Sequence, residues 1–233
     1  VAEISKFDPK ALVKAGFDKS LEVQHPVAAK NVERLRRVNP EKSPAEMIEY
    51  LNKFYLGTVT ATGAGAGATA AIPNGWVQLP AAAADLLAFL EASVLYTLSV
   101  AEVHGVDVED VERRRLLVMS VLVGNAAATS ALEPLIGRTA PYWGKRIVQS
   151  IPMSTINAAN RVLGPRFVTK YGVKQGVLVL GKQVPLFIGA GIGGGGNNLF
   201  GRFVVKAGKK ILGPAPEAWI STEPTIAGAT AIE

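Results

Sequence analysis

LPAAAADLLAFLEASVLYTLSVAEVHGVDVEDVERRRLLVMSVLVG, residues 79 to 124, decides the fold. Between Leu86 and Val100 the residues Leu86, Leu87, Phe89, Leu90, Val94, Leu95, Tyr96 and Leu98 cover almost every helical face, so no single stripe is the buried one. A helix apolar all round sits at the centre of a helical domain or in lipid. Gly105 predicts its stop. Asp107 predicts the cap of a second helix, with Asp110 in the capping-box place and an acidic first turn of Glu109, Asp110 and Glu112 that the helix dipole favours. The second helix opens polar, turns apolar, and is expected to stop at Pro134 and Gly137.

The order of features around this pair carries a resemblance. A Gly/Ala-rich helix, a proline turn, an apolar helix starting near an Asp, HGVDVEDVERRRLLVMSVL, and then a glycine run followed by a basic helix resemble the EcsC family of bacterial proteins over roughly Tyr50 to Leu212. The resemblance implies a hydrophobic, mostly helical fold and a membrane connection. Some members are labelled hydrolases without a clear active site, so it implies no reaction.

At 233 residues and 24.5 kDa the chain is large enough for one domain with a real core. Only 7% aromatic and rich in Gly and Ala, it suits tightly packed helices: an all-α bundle over residues 43–212, with a peripheral helical arm over 1–42 and an extended or mobile tail over 213–233. The absence of cysteine excludes disulfides and thiolate metal sites, and two distant histidines make no zinc site. No metal or cofactor is expected. Early charges at Glu3, Lys6 and Asp8 interrupt any signal-peptide core, so a cytoplasmic protein associated with the inner face of the cell membrane is the expectation.

Charge is segregated along the chain. Residues 1–133 hold 13 Lys/Arg against 16 Asp/Glu, Pro134 to Pro216 hold 12 Lys/Arg and no acid, and the tail adds three Glu. A cationic segment of this kind attracts anions over roughly 8 Å at physiological salt, or simply solvates one face of the domain. The trio Arg34, Arg36 and Arg37 lacks interleaved aromatics, so nucleic acid is not an expected partner.

Within the arm, Pro26 opens a segment with Val27, Val32 and Leu35 near one face, and Pro40 ends it. Ser43, Pro44 and Glu46 form a capping-box start. Phe54 to Ile72 then carries no charge; Gly63 and Gly67, spaced four apart, let helices approach closely in membranes and in dense soluble bundles alike. Two prolines, Pro73 and Pro80, predict a break with Trp76 in a turn. Further on, Tyr142 and Trp143 stand beside Lys145 and Arg146, a composition of lipid interfaces and of bundle corners. Ser154 caps a short helix that ends at Gly164 and Pro165, while VLVLG and QVPLFIG hint at strands.

The segment Asn198 to Leu212 reads as a basic amphipathic helix. Phe200, Phe203, Val204, Ala207 and Ile211 recur on one face, and Arg202, Lys206, Lys209 and Lys210 on another. These residues are the expected contact with an anionic membrane lipid or a membrane protein, or the apolar face is core and the bases are solvent screens. Homo-oligomerisation, or a soluble protein-interaction module, is the alternative.

Catalytic signals are weak. Gly189, Gly191 and Gly194 match a dinucleotide fingerprint after VPLFI, but no following strand supplies a ribose-binding acid. There is no G-x-S-x-G elbow, and the one local constellation is His104 with Asp107 and Asp110. Asp85, Glu91 and Glu102 on the apolar helix must pair or face water; Asp85 is the candidate buried carboxylate, with Lys182 or Arg161 as partner. No catalytic residue is assigned.

Overall fold

A computed structural model describes residues 8–69, 75–124, 126, 128–130, 133, 143–182 and 186–219. Among these it is all-α, as the composition predicts: α1 (Pro9–Val38), α2 (Pro44–Thr69), α3 (Gly75–Val103), α4 (Val111–Val123), α5 (Trp143–Ser150), α6 (Met153–Lys182) and α7 (Leu186–Leu212).

Helix α3 is the central element. It buries Leu86, Phe89, Leu90, Val94, Leu98 and Val100, and it packs against α1, α2, α4, α6 and α7. Glu91 and Glu102 reach water. Ala84–Val103 is the one span among the described residues long and apolar enough to cross a membrane, and 67% of its most apolar window is covered by the bundle.

The N-terminal segment is not a peripheral arm. Helix α1 runs unbroken through Pro26 and places Val13, Phe17, Leu21, Ala28, Val32 and Leu35 in the core against α3. Burial on both sides of Pro26 offsets the backbone hydrogen bond that the proline removes. Val27, expected on the buried face, is exposed, and Ala28 takes that place. Asp8 caps the helix by accepting from the Lys10 amide at 2.9 Å.

Other boundaries follow the sequence or depart from it for local reasons. The capping box forms as expected: the Ser43 amide donates to Glu46 Oε2 (2.8 Å) and the Glu46 amide to Ser43 Oγ (3.3 Å). Trp76 and Pro80 lie inside α3 near its start, not in a turn. Gly105 adopts φ +61° and ends the helical path, but the α4 cap is Asp110, one turn later than Asp107; Asp110 Oδ1 accepts from the amides of Glu112 and Arg113. Helix α4 stops at Gly124, φ +100°, well before Pro134 and Gly137, which lie outside the described residues.

The hinted short helix and the first hinted strand are instead one long helix, and the second, QVPLFIG, opens α7 from Leu186, its residues 183–185 lying outside the described part. Pro165 lies inside α6, flanked by the buried Leu163 and Phe167, and VLVLG continues that helix. The glycines 189–196 belong to α7, so their amides serve helical hydrogen bonds rather than a phosphate loop. Helices α2 and α7 form the most extensive pair and run antiparallel, with Asn198 Nδ2 donating to Thr60 Oγ1 at 2.8 Å. A Cβ on Gly201 would stand 2.9 Å from Val59 and 3.0 Å from Leu56, so glycine sets this close approach. Gly63 is buried in α2; Gly67 is helical, and its surroundings lie outside the described residues. After α7 the chain to Trp219 folds back on the α1–α2 corner: Trp219 Nε1 donates to the Lys42 carbonyl at 2.9 Å, and the Arg36 guanidinium covers its ring at 4.3 Å. The tail expected to be extended or mobile is non-helical and docked over 213–219, and residues 220–233 lie outside the described part.

Candidate functional site

The basic residues of α7 are brought together on its outer side, although not as the sequence pattern divided them. Val204, Ala207 and Ile211 are core, and Phe200 is half-buried with its ring edge-on to Phe89 at 6.3 Å. Phe203 departs from that face and is 54% exposed, as is Leu199. Leu199, Arg202, Phe203, Lys206 and Lys210 fall within an arc of about 100° at helical spacing, all facing solvent. Lys209 is also exposed but sits at the edge of this arc, lining a cleft toward α2. Arg202 Nε donates to Asn198 Oδ1 at 2.8 Å; among the described residues no ion pair joins these four bases to a carboxylate.

Asp85 is buried, as the sequence suggested; of the two bases expected as partners, Arg161 is exposed on α6 and the side chain of Lys182 lies outside the described residues. Asp85 Oδ1 accepts from the buried Asn197 Nδ2 at 2.7 Å, tying α3 to α7. A buried polar link between two apolar helices favours the one register that satisfies it. About two turns further along α3, Ser93 donates to the Phe89 carbonyl (2.6 Å), so the Tyr55 hydroxyl donates to Ser93 Oγ (2.8 Å); Tyr96 donates to Asn52 (2.6 Å). Burial pushes the Tyr55, Tyr96 and Tyr171 hydroxyls well above the ordinary tyrosine range.

The histidine constellation does not assemble. His104 is buried at the end of α3 and its Nδ1–H donates to the Val100 carbonyl at 2.8 Å, which leaves Nε2 as an acceptor without a hydrogen-bond partner. It lines a cleft of about 420 Å³ with Glu49, Tyr96 and Lys209, whereas Asp107 and Asp110 spend their carboxylates on backbone amides.

Sequence reading missed a second cleft. Helices α1, α4 and α6 enclose a cleft of about 690 Å³. Phe17 and Phe167 form part of its wall, with ring centroids 4.4 Å apart. An ion network crosses it: Lys14 to Asp18 (2.6 Å), Asp18 to Arg115 (3.2 Å), and Arg115 to Glu112. Asn160, 8% exposed, donates from Nδ2 to the Glu112 carboxylate (2.9 Å) and to the Glu112 carbonyl (3.0 Å), and its Oδ1 has no partner. The Glu112–Arg115 spacing was the available signal, but Asp18 lies 97 residues away in sequence. Among the described residues no cluster of His, Asp and Glu is arranged to hold a metal.

Compared with protein-family models, with curated proteins and with solved structures, the chain matches none.

Proposed function

We propose that this is a non-enzymatic helical protein that docks peripherally on an anionic membrane surface, at the inner face of the cell membrane, through the outer stripe of α7. The observation that carries this reading is the union on one solvent-facing arc of three bases, Arg202, Lys206 and Lys210, with two large apolar side chains, Leu199 and Phe203. Bases held this near an anionic surface contribute about 1 kcal/mol each, and shallow insertion of the apolar pair adds to it. Charge complementarity selects the partner, because the 83 residues from Pro134 to Pro216 contain no acid. The EcsC-like order of motifs supports the same membrane connection. A protein- or self-interaction module is the second reading, favoured by the exposed, stacked Tyr50 and Phe54 on α2.

Flotation with phosphatidylserine-containing and pure phosphatidylcholine vesicles tests the proposal. The parent is expected to float with the anionic vesicles only, and less as salt rises. Arg202→Gln, Lys206→Gln and Lys210→Gln together should abolish flotation while leaving the thermal midpoint unchanged. Equal flotation of parent and triple variant overturns it.

A further inference from the structure

The non-helical segment 213–219 is held at its two ends. At the first, the Gly213 amide donates to the Lys209 carbonyl at 3.0 Å, and Gly213 turns the chain off α7 with φ +90°, a conformation glycine adopts freely. At the second, Trp219 packs half-buried against the core, its Nε1 donating to the Lys42 carbonyl at 2.9 Å and its ring lying under the Arg36 guanidinium at 4.3 Å. From Pro214 to Ala218, among the described residues, no hydrogen bond or ion pair ties the chain to the bundle. Pro214 and Pro216 have no amide N–H to offer, and Pro214, Glu217 and Ala218 are exposed.

The same segment closes one side of a cleft. Helices α2, α3 and α7 line about 420 Å³ with the apolar Ile48, Val100 and Val205 and the exposed Lys209, and Gly213, Pro214 and Ala215 supply the remaining side. Three sides are thus helices that bury core residues against one another, and the fourth is a stretch of chain anchored only where it starts and stops. Parts of a fold with few buried contacts and few backbone hydrogen bonds open at a small fraction of the free energy of global unfolding.

We infer that residues 213–219 form a strap that gates the α2–α3–α7 cleft, with Trp219 as its latch. When the indole leaves Arg36 and the Lys42 carbonyl, residues 214–218 swing about Gly213 and the cleft opens while its three helices stay packed. The latch is separate from the outer stripe of α7, because Arg202, Lys206 and Lys210 do not line the cleft.

Thiol labelling provides the test, because the chain contains no cysteine and each reporter variant then carries a single thiol. Ile48→Cys on α2 and Val205→Cys on α7 report on the cleft from two helices, and Ser120→Cys, at a fully buried position of α4 away from it, reports on the core. Reaction of the full chain with iodoacetamide is followed by mass, with and without Trp219→Ala. Both cleft thiols are expected to react about tenfold faster when Trp219 is removed, since losing a hydrogen bond and a cation–π contact together shifts an opening equilibrium by about that factor. Trp219→Phe, which keeps a ring for Arg36 but loses the donor, should fall between. The Ser120→Cys rate should not change. Unchanged rates at the cleft thiols overturn the inference, and so does an equal acceleration at Ser120→Cys, which would mean that the whole bundle has loosened. Reporters on two helices keep the test decisive if one of them fails to fold.

Discussion

Helices α4 and α7 both carry clusters of bases, and the fold uses them in opposite ways. On α4, Arg114 is buried and its guanidinium donates to three backbone carbonyls, those of Val108 (3.0 Å), Leu21 (2.7 Å) and Glu109 (2.9 Å). It thereby joins α1 to the α3–α4 hinge, and burial depresses its pKa. Its neighbour Arg115 is spent on Asp18 and Glu112. On α7, Arg202, Lys206 and Lys210 face solvent with no carboxylate paired to them among the described residues. A base that satisfies buried carbonyls holds the fold, and a base left in water remains available to a partner.

The largest expected effect follows directly. Arg114→Met removes a donor from three carbonyls, and a loss of about 3 kcal/mol or more is expected from urea unfolding, given that hydrogen bonds to charged groups are worth about 1.5–3 kcal/mol each. The paired change Lys206→Gln and Lys210→Gln should stay within about 0.5 kcal/mol per site. Comparable losses in the two proteins would break the contrast.

An intermediate effect separates the two sides of α7 itself. Gly201→Leu drives a side chain into Val59 and Leu56 on α2, with an overpacking penalty of about 1–3 kcal/mol. Gly195→Ala, on the exposed side where a Cβ meets nothing, should instead stabilise by up to about 1 kcal/mol through helix propensity. Thermal midpoints that move in the same direction would show that α7 does not present one packed and one open side.

A third base gives the contrast a pH dependence. Lys170 on α6 reaches the end of α4, where its ammonium donates to the carbonyls of Leu122 (2.5 Å) and Val123 (3.0 Å), and burial pushes it down to about 8. Above that pH the folded chain holds fewer protons than the unfolded one, whose lysines lose theirs near 10.5. Stability from Lys170 therefore rises from about pH 8 toward pH 10, and below pH 8 the cost of burying its charge is fully present. The raised tyrosines act oppositely, since the unfolded chain ionises first above their ordinary value of 10. Denaturant midpoints between pH 8 and pH 10 should rise in the parent, and Lys170→Met should flatten that rise.

The helical class, the central place of α3, the Ser43–Glu46 capping box, the stop at Gly105 and the buried carboxylate at Asp85 were legible in the sequence, because each depends on residues within one or two turns or on a strong apolar excess. Pro26 and Pro165 were not, since a proline costs a local hydrogen bond whatever surrounds it, and only packing on both sides, such as Leu163 and Phe167 beside Pro165, decides whether the helix continues. Periodicity likewise placed Val204, Ala207 and Ile211 on one face of α7, but what covers a face is a property of its neighbours. Only the tertiary structure set that face on the core, turned Phe203 and the bases outward, and carried Asp18 across 97 residues to Arg115 beside the buried Asn160.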